Sequence, residues 1–381
     1  MISYLLSHQR RLLTILSVWI LSTISLAGCH GGPMSSSIDG SSPENAVPSG
    51  RVVSFADPRE FPVFIGASGI PLSWQDVLDR ASHAQVIVIG ELHDDTHAHD
   101  LQLAILQDIL KQNPRAALSL EFLERNQQID VDDYLDDIID VEALLDRLGI
   151  RSLEARASWK ASYIRLIDAA KSAHAPVTAA NAPRRYVRLA RTDGYDRLKQ
   201  LPADRRAMFD FPITPVDSPY KDRFFDLMSQ SAEGDSNGHA SNVAASFRSQ
   251  RMWDATMAQS IVNTLRHGAS QVVHVIGRFH VDEQGGTVLE LRSRLRSFFS
   301  TPRVLTISCV QSDSLTLADE DLRRADIVFH TGARPPEPED QAETQPTATA
   351  PEESATQPAS SPEQTSDAEQ VRVRDVFQIL F

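Results

Sequence analysis

With 381 residues, 41% of them hydrophobic, the chain has material for one large domain or two modest ones with a real core. The formal net charge of −14 is unevenly placed, because residues 335–370 hold nine acidic residues and no basic one, which leaves roughly −5 elsewhere. That balance lacks the basic face that nucleic-acid binding needs, and two cysteines, Cys29 and Cys309, exclude a disulfide framework.

Arg10 and Arg11 precede an apolar run, Leu12 to Leu26, that ends Leu26-Ala27-Gly28-Cys29. A basic start, an apolar stretch and small residues before a cleavage point read as a secretory signal over residues 1–28. The last four residues resemble the bacterial lipobox, after which a lipid-modified Cys29 would hold the chain to a membrane. The alternative is an uncleaved signal anchor. His30 rather than Asp follows the cysteine, which favours the outer membrane. No other segment is apolar enough to span a bilayer. Residues 29–50 are polar and read as a flexible tether.

An α/β domain is expected over residues 51–333. Phe55, Phe61 and Phe64 lie among prolines as an edge segment. Ser73-Trp74-Gln75-Asp76 has capping-box spacing and predicts a short helix ending near Ala81. Val86–Ile89 is a β-branched run of the kind found in fully buried strands, and it ends Gly90-Glu91-Leu92-His93. A helix from His97 or Asp100 to about Lys111 places Leu101, Ile105 and Ile109 on one face. The next strand, Ala116–Leu120, ends at Glu121. Strand, helix and strand at this spacing predict a βαβ unit with parallel strands, their carboxyl ends side by side. Glu91, His93 and Glu121 would then meet.

From Gln127 to about Asp146 the chain is acidic and helical, and a helix follows around Trp159, Tyr163, Leu166 and Ile167. Pro176–Ala180 reads as a third strand closed by Asn181, and Pro183 suits the first turn of a helix carrying Arg184, Arg185, Tyr186 and Arg188. Residues 200–247 read as a cap of short helices and loops with a mobile insertion near Gly238. Gln250–Leu265 is helical, stopped by Gly268. Val272–Ile276 then repeats the earlier grammar, a β-branched strand ending Gly277-Arg278-Phe279-His280. Val304–Val310 and Asp326–His330 complete the sheet. The predicted fold class is α/β, a mostly parallel central sheet flanked by helices, with a smaller helical cap drawn from about residues 127–250. Residues 334–370, rich in Pro, Glu, Gln, Thr and Ser, are expected to be disordered, and the apolar segment 371–381 is expected to dock.

Each histidine falls just past the carboxyl end of a strand, where open α/β sheets place their binding crevices. Glu91, His93, Glu121, Asn181 and His280 thus converge in principle. His93, Glu121 and His280 would suit a divalent metal such as Mn, Co or Zn. The same carboxylates and imidazoles, Glu91 included, would also serve as catalytic acid and base. The alternative is that Glu91 and Glu121 pair with Arg125 or Arg278 and only organise loops. His97 and His99 read as surface or rim residues. Gln250 and Asp254, one turn apart, either reach the pocket from the cap or form a solvated stripe.

These motifs together resemble the ChaN-like haem-binding lipoproteins, a branch of a superfamily that also holds Tiki-type metalloproteases and erythromycin-esterase-like enzymes. The resemblance spans about residues 72–332. It rests on Gly90-Glu91-Leu92-His93-Asp94 with His99 and Gln102, and on Glu121-Phe122-Leu123-Glu124-Arg125-x-Gln127. It continues through Trp159-x-x-x-Tyr163, Asn181-Ala182-Pro183-Arg184, Gln250-x-x-x-Asp254-x-x-Met257-Ala258, and Gly277-x-x-His280 before Gly285-Gly286. It implies a cell-envelope protein of haem or iron uptake that encloses haem as a homodimer, with an outer-membrane haem receptor as partner. A tyrosine would ligate the iron and a histidine assist; Tyr186 and His280 are the candidates, with Tyr163 and Tyr195 left open. Arg184 and Arg185 would meet the haem propionates. Arg278-Phe279 stand where many relatives carry smaller residues, which is expected to narrow the cleft. Two other readings stand beside it: a Tiki-type hydrolase whose metal, held by His93, Glu121 and His280, activates water, and an envelope scaffold whose acidic tail recruits partners.

Overall fold

The computed structural model of the chain describes residues 57–230 and 236–332. The expected signal segment, Cys29, the tether, Phe55, the acidic tail and the segment 371–381 lie outside the described residues.

In chain order the elements are β1 (Val63–Ile65), α1 (Trp74–Ser82), β2 (Val86–Glu91), α2 (Thr96–Gln112) and β3 (Ala116–Glu124). Then come α3 (Gln128–Leu135), α4 (Val141–Arg147), α5 (Leu153–Trp159), α6 (Arg165–Ser172), β4 (Val177–Asn181), α7 (Arg184–Lys199) and α8 (Ala203–Arg206). The remainder is α9 (Pro219–Gln230), α10 (Ser236–Arg266), β5 (Gln271–Gly277), α11 (Gly286–Leu295), β6 (Val304–Val310) and β7 (Ile327–His330). The seven strands form one sheet in the order β1-β7-β6-β2-β5-β3-β4. All neighbours are parallel except β1 with β7. The fold is the α/β class that the strand and helix periods predict.

Helices cover both faces, which is why the central strands read as unbroken apolar runs. On one face Ile87, Ile89, Leu118, Leu120, Val273 and Val275 pack with Leu101, Ile105 and Leu166 of α2 and α6. On the other, Val86, Val88, Val272 and Ile276 pack with Met257 and Ile261 of α10 and Val288 and Leu291 of α11. Each such fully buried side chain contributes about 1.5–3 kcal/mol. Two smaller cores belong to the cap: Tyr186, Val187 and Phe209 with Met252, and Tyr220 and Phe224 with Phe247.

The capping box read at Ser73 forms. Ser73 Oγ accepts from the Asp76 N–H and the Asp76 carboxylate accepts from the Ser73 N–H. Asp95 caps α2, its carboxylate accepting from the N–H groups of His97 and Ala98. Two expectations are corrected. The helix expected from Gln250 starts at Ser236, so Gly238 is helical; Ala, Ser and Asn around it tolerate a helix that packs at its far end. Residues 231–235 of that patch lie outside the described residues. Strands β2 and β3 are parallel but not adjacent, because β5 lies between them. A βαβ pattern fixes direction and hand, but it leaves room for a later strand to enter the gap.

That insertion explains the repeated glycine. A Cβ on Gly277 would lie 3.0 Å from His93 Cε1 and 3.5 Å from Glu121 Oε2. One on Gly90 would lie 2.9 Å from Arg278 Cα. Each glycine therefore admits the loop that follows the neighbouring strand.

Candidate functional site

Glu91, the last residue of β2, is buried. Its carboxylate accepts from Tyr163 OH at 2.7 Å, from His93 Nδ1 at 3.1 Å and from Gln102 Nε2, and His99 Nε2 lies 3.3 Å away. Burial pushes its pKa up, yet the bonds from His93 and His99 outweigh this and hold it down at about 2. A carboxylate so enclosed stays ionised and orients others; it does not exchange protons near neutral pH. His99 is thus a buried partner of Glu91 instead of the surface or rim residue expected, since α2 starts early enough to turn it inward. His97 is exposed, with Nδ1 3.0 Å from the Thr331 carbonyl.

Glu121, in the irregular final stretch of β3, accepts the Gly277 N–H at 2.6 Å and lies 3.3 Å from His280 Nε2. Burial raises its pKa, but the charge and hydrogen bond of His280 bring it down to about 2. His280 itself is only 2% exposed, with Nδ1 2.6 Å from Asp254 Oδ1. Burial disfavours its charge, while Asp254 and Glu121 overcome that and raise its pKa to about 10. Asp254 also accepts from Tyr220 OH at 3.0 Å and from Thr287 Oγ1 at 2.7 Å. The Gln250 amide is 3.2 Å from His280 Nε2 and 3.1 Å from Tyr220 OH. Gln250 and Asp254 therefore reach inward from α10 and form no solvated stripe.

The loop that delivers His280 is tightly built. Glu283 and Gln284 have φ of 52° and 61°, a strained region for side-chain-bearing residues. The turn brings Gly286 so close that a Cβ would lie 2.1 Å from Asp254 Oδ2 and 2.4 Å from Tyr220 Cε1.

Above this network opens a crevice of about 590 Å³, with His93, Glu121, Asn181 and His280 among its polar lining. Phe122, Trp159, Tyr163 and Trp253 supply apolar walls, and Arg184 also lines it. Phe122 and Tyr163 stack at 3.9 Å, and Trp159 meets Tyr163 edge-on at 5.2 Å. Tyr163 sits in a π-helical turn, Lys160–Ile164, a local irregularity that often marks functional positions. Burial first, and then the charge of Glu91, raise the Tyr163 phenol well above its ordinary pKa.

His93 is the member of the set with an unused valence. Its Nδ1 faces Glu91, and Nε2 makes no hydrogen bond among the described residues. Burial lowers its pKa, but the bond to Glu91 and the charge of Glu121 leave it raised. A carboxylate on Nδ1 fixes ring orientation and tautomer and leaves Nε2 to act as base or ligand.

Other predicted residues fall elsewhere. Tyr186 packs against Phe209 with ring centroids 5.1 Å apart, and the Arg185 guanidinium lies 4.7 Å over the Tyr186 ring. Neither lines the crevice, and Tyr186, two residues along the helix from Arg184, is turned to the opposite face. Tyr195 donates to the Arg248 carbonyl at 2.7 Å. Arg125 pairs with Asp210 at 2.8 Å and Arg278 lies 4.0 Å from Asp282, so neither organises Glu91 or Glu121. Phe279 joins Tyr220 and Phe224 in the cap, so the bulky pair after Gly277 does not narrow the crevice. The expected metal set finds no support. Among the described residues no group of three His, Cys, Asp or Glu is disposed to hold a metal ion. Both His280 nitrogens are already engaged by carboxylates, Nε2 3.3 Å from Glu121 and Nδ1 2.6 Å from Asp254. Tyr220 and Thr287 belong to no motif, and Trp253 occupies an unspecified position between Gln250 and Asp254.

A solved structure described as cofacial haem binding to ChaN of Campylobacter jejuni is similar at 19% identity and a TM-score of 0.54, covering 71% of this chain and 96% of that one. The type III effector HopBA1 (13% identity, TM-score 0.38, 74% of this chain and 99% of that one) is more distant. So is a mutant of the erythromycin esterase EreC in its open conformation (8%, 0.37, 65% and 76%). Among curated proteins none matches the chain. The family described as haem-binding uptake, Tiki superfamily, ChaN matches residues 77–291, a stretch that holds Glu91, His93, Glu121, Asp254 and His280 and exceeds half the chain. The chain belongs to this ChaN-type haem-binding uptake family of the Tiki superfamily.

Proposed function

We propose that this chain is a membrane-anchored haem-binding protein of the cell envelope that serves haem and iron uptake. The observation that carries the reading is the unused Nε2 of His93 on an aromatic-walled crevice of about 590 Å³. The donor set fits the group. Haem iron takes an axial ligand from a side chain with a free lone pair, and an imidazole oriented by a carboxylate is such a donor. His93 would hold the iron. Phe122, Trp159, Tyr163 and Trp253 would cover the apolar ring and exclude water, and Arg184 would pair with a propionate. Tyr163 keeps its proton on Glu91, and Tyr186 lies outside the crevice, so the tyrosine role implied by the resemblance passes to His93.

Family membership supports haem as the ligand. A second copy of this chain as a partner belongs to the same reading and is what the family resemblance implies. Lipidation at Cys29 and delivery from an outer-membrane haem receptor complete the reading; both rest on the sequence pattern and the family. The test is a haemin titration of the purified chain. A Soret band is expected for wild type and for Tyr186→Phe, with the ligand-field bands altered and affinity reduced in His93→Ala. Loss of binding in Tyr186→Phe with His93→Ala intact would return the ligand role to the tyrosine, and no Soret band at all would end the haem reading.

A further inference from the structure

At the end of the sheet opposite the crevice, the amino ends of β2, β6 and β7 meet the carboxyl ends of α1 and α11. There a cavity of about 630 Å³ is lined by Arg80, His83, Arg292, Arg296 and Arg303, against one carboxylate, Asp326. Asp326 is already engaged, accepting from Thr306 N and Oγ1 at 2.9 Å each and lying 3.9 Å from Arg292. Among the described residues no carboxylate lies within 4.0 Å of the guanidinium groups of Arg80, Arg296 or Arg303. Arg303 is held in place by its Nε bond to the His83 carbonyl and by its N–H to Gln85 Oε1.

Part of this charge answers the two helix ends, since Arg80 stands in the last turn of α1 and Arg292 in that of α11. Each helix end presents about half a negative charge. Two such ends and Asp326 offset about half of the four guanidinium charges, and a surplus of about two remains in a concave site. Guanidinium forks match the oxygens of phosphate in pairs, and a bowl of them favours a compact anion over an extended one.

We propose that this basin is a second binding site, for phosphate groups. The chemistry is shared by two sources: the headgroup of an anionic phospholipid and a free phosphorylated small molecule. A headgroup bound here would turn the haem crevice away from the bilayer. The site does not depend on the haem reading, since the two lie at opposite ends of the strands.

The test is calorimetry on the purified full chain in a neutral detergent at low salt. The probes are inorganic pyrophosphate, a short-chain phosphatidylglycerol and, as zwitterionic control, a short-chain phosphatidylcholine. At least one anionic probe is expected to bind and to weaken tenfold or more in Arg80→Glu/Arg296→Glu, a pair with no side-chain hydrogen bond to lose. Binding of pyrophosphate alone assigns a free phosphate ligand; binding of phosphatidylglycerol alone assigns a lipid headgroup. Arg303→Gln is a second, milder variant and should weaken the same probe in a chain that melts normally. The proposal is overturned if neither anion binds, if phosphatidylcholine binds equally well, or if binding survives both variants. It is equally overturned if binding is lost instead in Arg184→Glu/Arg188→Glu, which would place the anion on α7.

Discussion

The two ends of the sheet carry charge in opposite ways. At the carboxyl ends of β2, β3 and β5, three carboxylates and three imidazoles are buried or nearly so, and each carboxylate is matched by two or more donors. At the amino ends of β2, β6 and β7, four arginines, three of them exposed, line a basin with one carboxylate. A buried charge must be paired, because the desolvation penalty falls on any partner left behind. An exposed charge is screened by water and can stay unpaired until a ligand arrives. The crevice end is therefore where the fold is vulnerable to single substitutions, and the basin end is where it is tolerant.

The largest effect that would break this contrast is expected at Asp254. Asp254→Ala removes the carboxylate 2.6 Å from His280 and strands the hydroxyls of Tyr220 and Thr287 in the core. Removing one member of a buried ion pair costs about 3–5 kcal/mol. Urea unfolding of the variant should show that loss; a change below about 1 kcal/mol, the scale of a surface pair, would mean that the network is not buried in solution.

The pH dependence sharpens the same point. His280 has its pKa raised from 6.5 to about 10, so its contribution to stability is complete below pH 6.5 and lost as pH rises through 10. Glu91 and Glu121 are lowered from 4.5 to about 2, so theirs is complete above pH 4.5 and lost as pH falls through 2. Stability from this network should therefore peak between pH 4.5 and 6.5, and the alkaline decline should shrink in Asp254→Ala. A melting temperature that rises steadily from pH 6.5 to 10 would contradict the assignment.

Next comes His93→Ala, expected to weaken haemin binding about 100-fold, the upper range for disturbing a ligand and its carboxylate support. Its effect on unfolding should be smaller than that of Asp254→Ala, since Nε2 makes no hydrogen bond to lose. A spectroscopic haemin titration beside a urea curve separates the two. Tyr163→Phe follows. It deletes one hydrogen bond to the ionised Glu91 and should cost about 1.5–3 kcal/mol in unfolding, with Glu91 still held by His93 and Gln102.

How much of this was readable in the chain differs between elements for physical reasons. Strands β2 and β5 are fully buried parallel strands, so they appear as unbroken β-branched runs, and a histidine three residues past each glycine marks the crevice. The order of the strands was not readable, because β5 enters between β2 and β3 through contacts some 190 residues apart in the chain. Tyr186 packs away from the crevice although its neighbour Arg184 lines it, and only the phase of α7 separates them. Asp254 and Gln250 could be placed on one helix face but not assigned a side, since α10 is buried along much of its length. Tyr220 and Thr287 both donate to Asp254, and nothing local to either residue signals a distant carboxylate.

The smallest effect belongs to the basin and completes the contrast. Arg296 is exposed, caps no carboxylate within 4.0 Å and donates no side-chain hydrogen bond among the described residues. Arg296→Ala removes a charge at the carboxyl end of α11, an interaction worth about 0.3–1 kcal/mol at low salt and less in physiological salt. Relief of repulsion from Arg80, Arg292 and Arg303 acts in the opposite direction, so the net change in unfolding free energy should lie within about 0.5 kcal/mol. Raising the salt concentration should shrink even that. If the variant instead loses as much stability as Tyr163→Phe, the arginines of the basin are structural partners of the helices, and the division between a self-satisfied crevice and a ligand-seeking basin does not hold.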